Sequence, residues 1–164
     1  MSFSSNVTNI GTQAFNGCSS LTNLTIPNNV TTIDNNAFAG CTGLTTLNYD
    51  ATCEVTSNIG FTGNTSLKTV VIGDTTSSIG TNAFNNCNSL SNITIGSNVG
   101  SIGNSAFGGS NSLIRVKVKA TSCPTLGTNV FAGNEFKIYV PALKVNDYKE
   151  YAGWSAYSDI IEGF

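Results

Sequence analysis

The chain has 164 residues and a net charge of -2 at pH 7, and only 10% of its residues are charged. A typical globular domain carries about 25% charged residues, so this surface is unusually neutral. The length fits one domain, and the weak negative charge argues against nucleic acid as a partner, since proteins that bind it concentrate basic residues.

No secretory signal, lipidation motif or apolar stretch long enough to span a membrane is recognisable in the sequence. Met1 leads directly into a polar segment. The sequence therefore predicts a chain without a membrane span. It leaves open whether the chain is a mature form, a fragment or a protein exported by another route.

A fixed period runs through the chain. Phenylalanines mark it at constant spacing, with a final step that is longer by a single residue: Phe15, Phe38, Phe61, Phe84, Phe107 and Phe131. An apolar or aromatic residue follows each of the first five at six, nine and eleven positions, which gives a segment of the form L-x-x-L-x-I. A period of roughly 20 to 29 residues with this segment is typical of a leucine-rich solenoid.

The chain opens inside a strand, because Met1 and Phe3 stand one full period before Leu24 and Ile26. No polar cap precedes this strand, although the terminal coils of a solenoid need one. An uncovered strand edge invites pairing with another chain. Two interpretations stay open: the chain is cut from a longer array, or the edge is covered by self-association.

Each repeat predicts one coil. In the first repeat Leu24 and Ile26 point into the core and Asn23 and Thr25 point outward, by the period-two rule for strands. Stacked coils place such strands parallel, about 4.8 Å apart, in one continuous sheet. Residues 30–33 turn the chain at the edge, and the phenylalanines of successive coils are expected to stack on the back.

Two coils depart from the pattern. In the third, Gly60 replaces the usual alanine, Thr56 replaces the isoleucine and Val55 comes one residue early. These changes predict a local bulge. In the sixth, the strand comes early, over residues 136–140, and ends at Pro141.

The repeat stops at residue 142, which divides the chain into a solenoid, 1–141, and a helical C-terminal cap, 142–164. Two short helices separated at Gly153 are predicted. Their apolar faces comprise Val145, Tyr148 and Ala152, and Trp154, Tyr157, Ile160 and Ile161. We expect Trp154 to be a packing residue that closes the last coil rather than a platform for a ligand.

All five cysteines occupy repeat positions: Cys18, Cys41, Cys53, Cys87 and Cys123. We expect them to pack as small buried groups. A bridge between Cys18 and Cys41, one coil apart, is the alternative if the geometry allows it. The chain has no C-x-x-C pair and no histidine, so neither a metal site nor a cofactor is predicted.

Catalytic constellations are not found in the sequence. Without histidine no Ser-His or Cys-His pair can form. Asp147 and Glu150 lie close together in the cap, as carboxylates on a solvated helix face commonly do, and no phosphate-binding glycine loop precedes a helix. The sequence predicts that the chain is not an enzyme.

The outward residues of the strands form the candidate binding surface. They are Asn23, Thr25, Thr46, Asn48, Thr69, Val71, Asn92, Thr94, Arg115, Lys117, Lys119, Lys137 and Tyr139. This surface is neutral over four coils and then basic. Crowded like charges are unfavourable unless something compensates them, which predicts an anionic contact. The alternative is that Glu135 and the carboxylates of the cap neutralise the patch.

The repeat I-G-x-x-A-F-x-x-C-x-x-L-x-x-I-x-I, at residues 79–95, resembles the BspA-like, or treponemal-type, leucine-rich repeats. The tail IYVPALKVNDYKEYAGWSAYSDII resembles the closing motif of such bacterial surface proteins. The likeness runs from residue 1 to about 161. It implies a right-handed curved solenoid with a parallel sheet on the concave side.

The resemblance also implies a function. Such proteins are typically non-enzymatic adhesins or protein-binding modules, displayed on the bacterial cell surface or secreted. The ligand implied is a protein or a glycan, host matrix proteins included, bound on the concave face. A structural component of a larger assembly, such as a virion or fibre protein, is the alternative, since this sequence lacks the family's signal peptide and N-terminal cap.

Overall fold

Successive coils each add one strand to a long parallel sheet. The computed structural model describes residues 1–131 and 136–164. Its strands are β1 (Asn9–Ile10), β2 (Asn23–Ile26), β3 (Thr32–Ile33), β4 (Thr46–Tyr49), β5 (Thr69–Ile72), β6 (Ser78–Ile79), β7 (Asn92–Ile95), β8 (Ser101–Ile102), β9 (Arg115–Val118), β10 (Thr125–Leu126), β11 (Lys137–Val140) and β12 (Ile161–Gly163). The long sheet has the order β12-β11-β9-β7-β5-β4-β2, and two small sheets, β1-β3 and β10-β8-β6, line a neighbouring edge of the coils.

The register of the long sheet follows from the period. A step of one period places Leu24 beside Leu47, and Leu47 beside Val70, so inward residues of all coils share one core. The shortened sixth coil keeps this register, because Lys137 pairs with Arg115. The predicted mostly β leucine-rich architecture is confirmed.

The phenylalanine stack lies behind the sheet as predicted. Its six rings are nearly parallel, with neighbouring centroids 5.3 to 5.8 Å apart: Phe15, Phe38, Phe61, Phe84, Phe107 and Phe131. The middle four are fully buried. Such offset stacking adds about 0.5–1.5 kcal/mol per pair to the free energy gained by burying the ring area.

The third coil is irregular as predicted, but the irregularity is a 3-10 turn and not the predicted bulge. The early Val55 takes the ladder position opposite Ile79, and a 3-10 helix, Ser57–Ile59, absorbs the extra residue. Gly60 ends this helix at a φ of 108°, where a Cβ would lie 2.5 Å from the backbone nitrogen of Ala39. A glycine is required there because the turn combines a left-handed backbone with a close approach to the preceding coil.

The cap contains the predicted helical segments and one strand that the sequence did not predict. A 3-10 turn, Ala142–Lys144, leads into α1 (Val145–Glu150), and a second 3-10 helix spans Trp154–Ile160. Ile161, expected on a helix face, instead begins β12, which pairs with β11 and closes the sheet. Ala152 is exposed and lies beyond α1, so its expected packing on the helix face is wrong.

Trp154 is fully buried, and its Nε1 donates a hydrogen bond of 2.6 Å to the carbonyl of Pro124. Its ring packs edge-on against Tyr148, whose hydroxyl donates to the carbonyl of Ala120 at 2.8 Å. The prediction that Trp154 is a packing residue of the cap is confirmed. No helix among residues 1–131 and 136–164 is long and apolar enough to cross a membrane.

The cysteines are free thiols with different exposure. Cys41 and Cys87 are buried as expected, and each Sγ lies 3.2 to 3.3 Å from the carbonyl oxygen of the phenylalanine one coil earlier. Cys53 and Cys123 are half-buried. Cys18 is exposed, so the expectation of burial is wrong there.

These environments predict unequal thiol reactivity. Burial raises the pKa of Cys87 to about 11, and the thiolate is the reactive form, so Cys87 is protonated as well as enclosed at pH 8. We expect iodoacetamide to modify Cys18 in the folded protein at pH 8 and Cys87 only after unfolding in urea, as read by peptide mass spectrometry. Equal rates at the two thiols in the native protein would contradict the burial.

The same shift gives a pH dependence of stability. The folded-state pKa of Cys87 lies above the unfolded value of 9.0, so burial of the neutral thiol contributes fully to the free energy of unfolding below about pH 9. This contribution is lost as the pH rises through 11.

Candidate binding surface

Two columns of side chains cross the outward face of the long sheet, which we call the outer face. The first column follows the ladder register through Asn23, Thr46, Thr69, Asn92, Arg115 and Lys137. The second follows it through Thr25, Asn48, Val71, Thr94, Lys117 and Tyr139. The structure therefore brings together every residue of the sequence-predicted surface except Lys119.

The first four coils of the outer face are neutral. Their asparagine and threonine side chains are exposed or half-buried, and they bond to near neighbours, as in the contact of 3.4 Å from Asn48 Nδ2 to Thr25 Oγ1. Val71 interrupts the second column with a half-buried aliphatic group. This half of the face offers amides, hydroxyls and one methyl patch on a rigid grid of strands.

Lys119 lies beyond the end of β9 and reaches back across two coils. Its Nζ donates to both carboxylate oxygens of Asp74 at 2.8 and 2.9 Å. The Lys119 hydrogen bond, supported by the backbone amide of Ser97 at 2.8 Å, lowers the pKa of the Asp74 carboxyl. Gly96 occupies the intervening coil, where a Cβ would lie 2.1 Å from the carbonyl oxygen of Gly73.

This ion pair borders a recess of about 310 Å³ at the ends of the strands. It is lined by Asn48, Tyr49, Asp50, Val71, Gly73, Asp74, Thr75 and Lys119. The carboxylate of Asp50 accepts from the backbone amide and hydroxyl of Thr75 at 3.2 and 2.9 Å. Across residues 1–131 and 136–164, no group of three or more His, Cys, Asp or Glu residues is placed to hold a metal ion.

Lys137 is neutralised by the cap. Its Nζ lies 2.8 Å from Glu162 of β12, and this hydrogen bond raises the pKa of the ammonium group. The predicted neutralisation by cap carboxylates is thus confirmed for Lys137. Glu135, the other expected partner, lies outside the described residues.

The remaining two cations face aromatic rings. The guanidinium carbon of Arg115 lies 4.7 Å from the ring centre of Tyr139, and Lys117 Nζ lies 3.8 Å from that of Phe164. The ion pairs found in the described parts of the chain involve neither Arg115 nor Lys117. Ring faces attract cations without neutralising them, so two positive charges remain on the C-terminal third of the outer face.

Phe164 was not predicted as part of this surface. The backbone amide of Phe164 donates to the carbonyl of Val140 at 3.0 Å, which continues β12 alongside β11 and holds the ring next to Lys117. Phe164 could have been placed on this surface only by predicting the strand at residues 161–163. The sequence of that segment instead favours the end of a helix. Phe164 is 48% exposed.

The chain matches a family model described as the BspA type leucine rich repeat region, in six copies, over residues 1–113 and 57–152. A leucine-rich repeat protein from Eubacterium ventriosum ATCC 27560 has a similar structure, with a TM-score of 0.66 and 28% identity. The alignment covers 77% of this chain and 34% of that one.

The leucine-rich repeat protein TpLRR of T. pallidum is similar over 100% of this chain and 84% of its own, with a TM-score of 0.60 and 21% identity. This likeness supports the fold alone. This chain spans about a third of the length of the Eubacterium protein. A search of curated protein sequences finds no match.

Proposed function

The chain belongs to the BspA type leucine-rich repeat family, and from this premise we propose that it is a non-enzymatic module that binds a protein ligand through the outer face. Membership of this family supports a role in protein–protein interaction. The location that best suits such a module is a bacterial cell surface or the secreted fraction, where it acts in adhesion. A glycan is the second ligand class compatible with a surface rich in amides and hydroxyls.

The two columns of the outer face are the observation that carries this proposal. They present polar, aliphatic, aromatic and cationic groups at fixed spacing on a sheet whose strands are tied together by backbone hydrogen bonds. Such a surface binds with little ordering of its own residues, which lowers the entropic cost of association. Solenoids commonly use an extended sheet face in this way.

A pair of threonine variants tests the proposal. Thr94 lies near the centre of the outer face, and exposed Thr81 lies in the turn region away from the long sheet. We expect Thr94→Glu to weaken binding to any ligand recovered from a panel of purified extracellular matrix proteins and glycans by about tenfold or more, since it inserts bulk and a negative charge into the contact, beside Lys117 on the neighbouring strand. Thr81→Glu should leave that affinity unchanged.

Biolayer interferometry with both variants measures the effect, and equal melting temperatures show that both are folded. Wild-type affinity in Thr94→Glu would place the contact elsewhere and refute the proposal, and a loss in Thr81→Glu would point to the turn region instead.

A structural component of a larger assembly is the second candidate. Phe15 and Leu21 in the first coil are only partly buried, whereas the residues at their positions in the next three coils are buried. A second copy that covers this end would bury them and pair with the backbone of residues 1–3, where Ser2 forms a single bridge to Thr25 on its other side. Sedimentation over a hundredfold range of concentration tests this, because a monomer throughout would exclude self-association.

A further inference from the structure

We infer that the C-terminal third of the outer face binds an acidic protein segment, in an extended conformation, through paired contacts of its carboxylates with Arg115 and Lys117. This inference rests on the proposed function and adds the chemistry of the partner. It concerns these two cations because Lys119 and Lys137 already have carboxylate partners in Asp74 and Glu162.

The aromatic contacts leave both cations able to bind an anion. A guanidinium has five N–H donors in its plane, and a ring stacked on one face does not occupy them. Tyr139 holds the Arg115 guanidinium in position, and Phe164 does the same for the Lys117 ammonium. A carboxylate that approaches from solvent therefore meets donors that have already lost part of their rotational freedom.

The spacing of the two cations matches an extended acidic segment. Arg115 and Lys117 are two residues apart on β9, so both side chains leave the same face of the sheet. Their Cα atoms are about 6.6–7 Å apart, because a strand rises about 3.3 Å per residue. Carboxylates at positions i and i+2 of an extended peptide have the same separation and also share one face.

The surroundings favour a peptide over a polyanionic chain. Asp74 and Glu162 already occupy Lys119 and Lys137, so this surface offers a ligand only two cations, whereas the affinity of a nucleic acid or a sulfated glycan depends on a longer row of them. Ile114, next to Arg115 in the chain, is 64% exposed, and Phe164 is 48% exposed. These apolar groups can contact the side chains that flank the acidic residues of a protein segment.

Synthetic peptides test the inference. The probe is a ten-residue threonine- and valine-rich peptide with Asp-Thr-Asp at its centre, and the matched control has Asn-Thr-Asn. We expect amide chemical-shift changes centred on β9 and β11 with the diacid, weaker binding at 300 mM than at 20 mM NaCl, and at least about fivefold weaker binding of the diamide.

Variants of the protein locate the contact. Arg115→Gln and Lys117→Gln should each reduce the affinity for the diacid by about threefold, and the double variant by about tenfold. Lys68→Gln removes an exposed lysine next to β5, which is separated from β9 by β7, and should leave the affinity unchanged. Equal binding of diacid and diamide, or an unaffected double variant, would overturn the inference.

A heparin-derived hexasaccharide serves as a competing polyanionic probe. If it binds more tightly than the diacid and displaces it, the site is a polyanion site and the inference is wrong. Failure of this inference is distinguishable from failure of the proposed function. When the diacid does not bind but Thr94→Glu still weakens ligand binding, only the acidic partner is refuted.

Discussion

Phe84→Ala is expected to reduce the free energy of unfolding by about 3–5 kcal/mol. Phe84 is fully buried, and its ring is stacked between Phe61 and Phe107 with centroid distances of 5.8 and 5.4 Å. Truncation removes both stacking contacts and leaves a cavity between two flat rings. The ring positions are set by backbone hydrogen bonds between coils, so the neighbours cannot close the gap.

The loss should also change the cooperativity of unfolding. The coils of a solenoid pack mainly against their neighbours, so a weakened central coil uncouples the two halves. Trp154 is the single tryptophan and reports on the C-terminal end. We expect its fluorescence transition in urea to separate from the far-UV circular dichroism transition in Phe84→Ala, whereas the two coincide in the wild type.

Phe164→Ala is the matched control, since Phe164 is 48% exposed and its ring lies outside the stack. It should change stability by less than about 1 kcal/mol. A loss of less than about 1 kcal/mol in Phe84→Ala would show that the phenylalanine stack does not hold the coils together.

The regular part of this fold could be predicted from sequence because the same residue pattern recurs in consecutive repeats. The constant step between copies fixes which residues share the core, and it also fixes the strand register, as the pairing of Thr46 with Asn23 and Thr69 shows. The outer face then follows from alternation alone. Each further copy of the repeat supports the same assignment, so local ambiguity between helix and strand does not arise.

The irregular parts could not be predicted, because they depend on contacts that occur once. At Ser57–Ile59 the extra residue forms a 3-10 turn, and the Gly60 that ends this turn lies close to the backbone of Ala39 in the preceding coil. Ile161 reads as a helical residue, yet it forms a strand because the edge of β11 is there to pair with it.

The candidate site likewise has one part that the repeat pattern predicts and another that it does not. Alternation placed Arg115 and Lys117 on one face, but the partners of these cations lie outside the repeat pattern. Lys119 joins Asp74 across two coils, and Lys117 meets the ring of Phe164 at the end of the chain. Neither contact has a signal in the sequence, since each depends on residues that the repeat does not specify.

Trp154→Ala is expected to destabilise the C-terminal end by about 3–5 kcal/mol. The indole is fully buried, and its removal leaves a cavity beside Tyr148 and deprives the carbonyl of Pro124 of the Nε1 donor. Of this loss, about 1–3 kcal/mol comes from the desolvation of a buried carbonyl that has lost its hydrogen-bond donor. The cap would then detach from the last coils without unfolding the first ones.

Hydrogen exchange measures this local effect. Amides of β11 and β12 should exchange faster in Trp154→Ala, while those of β4 and β5 keep wild-type protection, because coils pack mainly against their neighbours. Tyr151→Ala is the matched control, an exposed aromatic of the same cap. If protection falls equally from β4 to β12, the chain unfolds as one unit, and the cap does more than close the last coil.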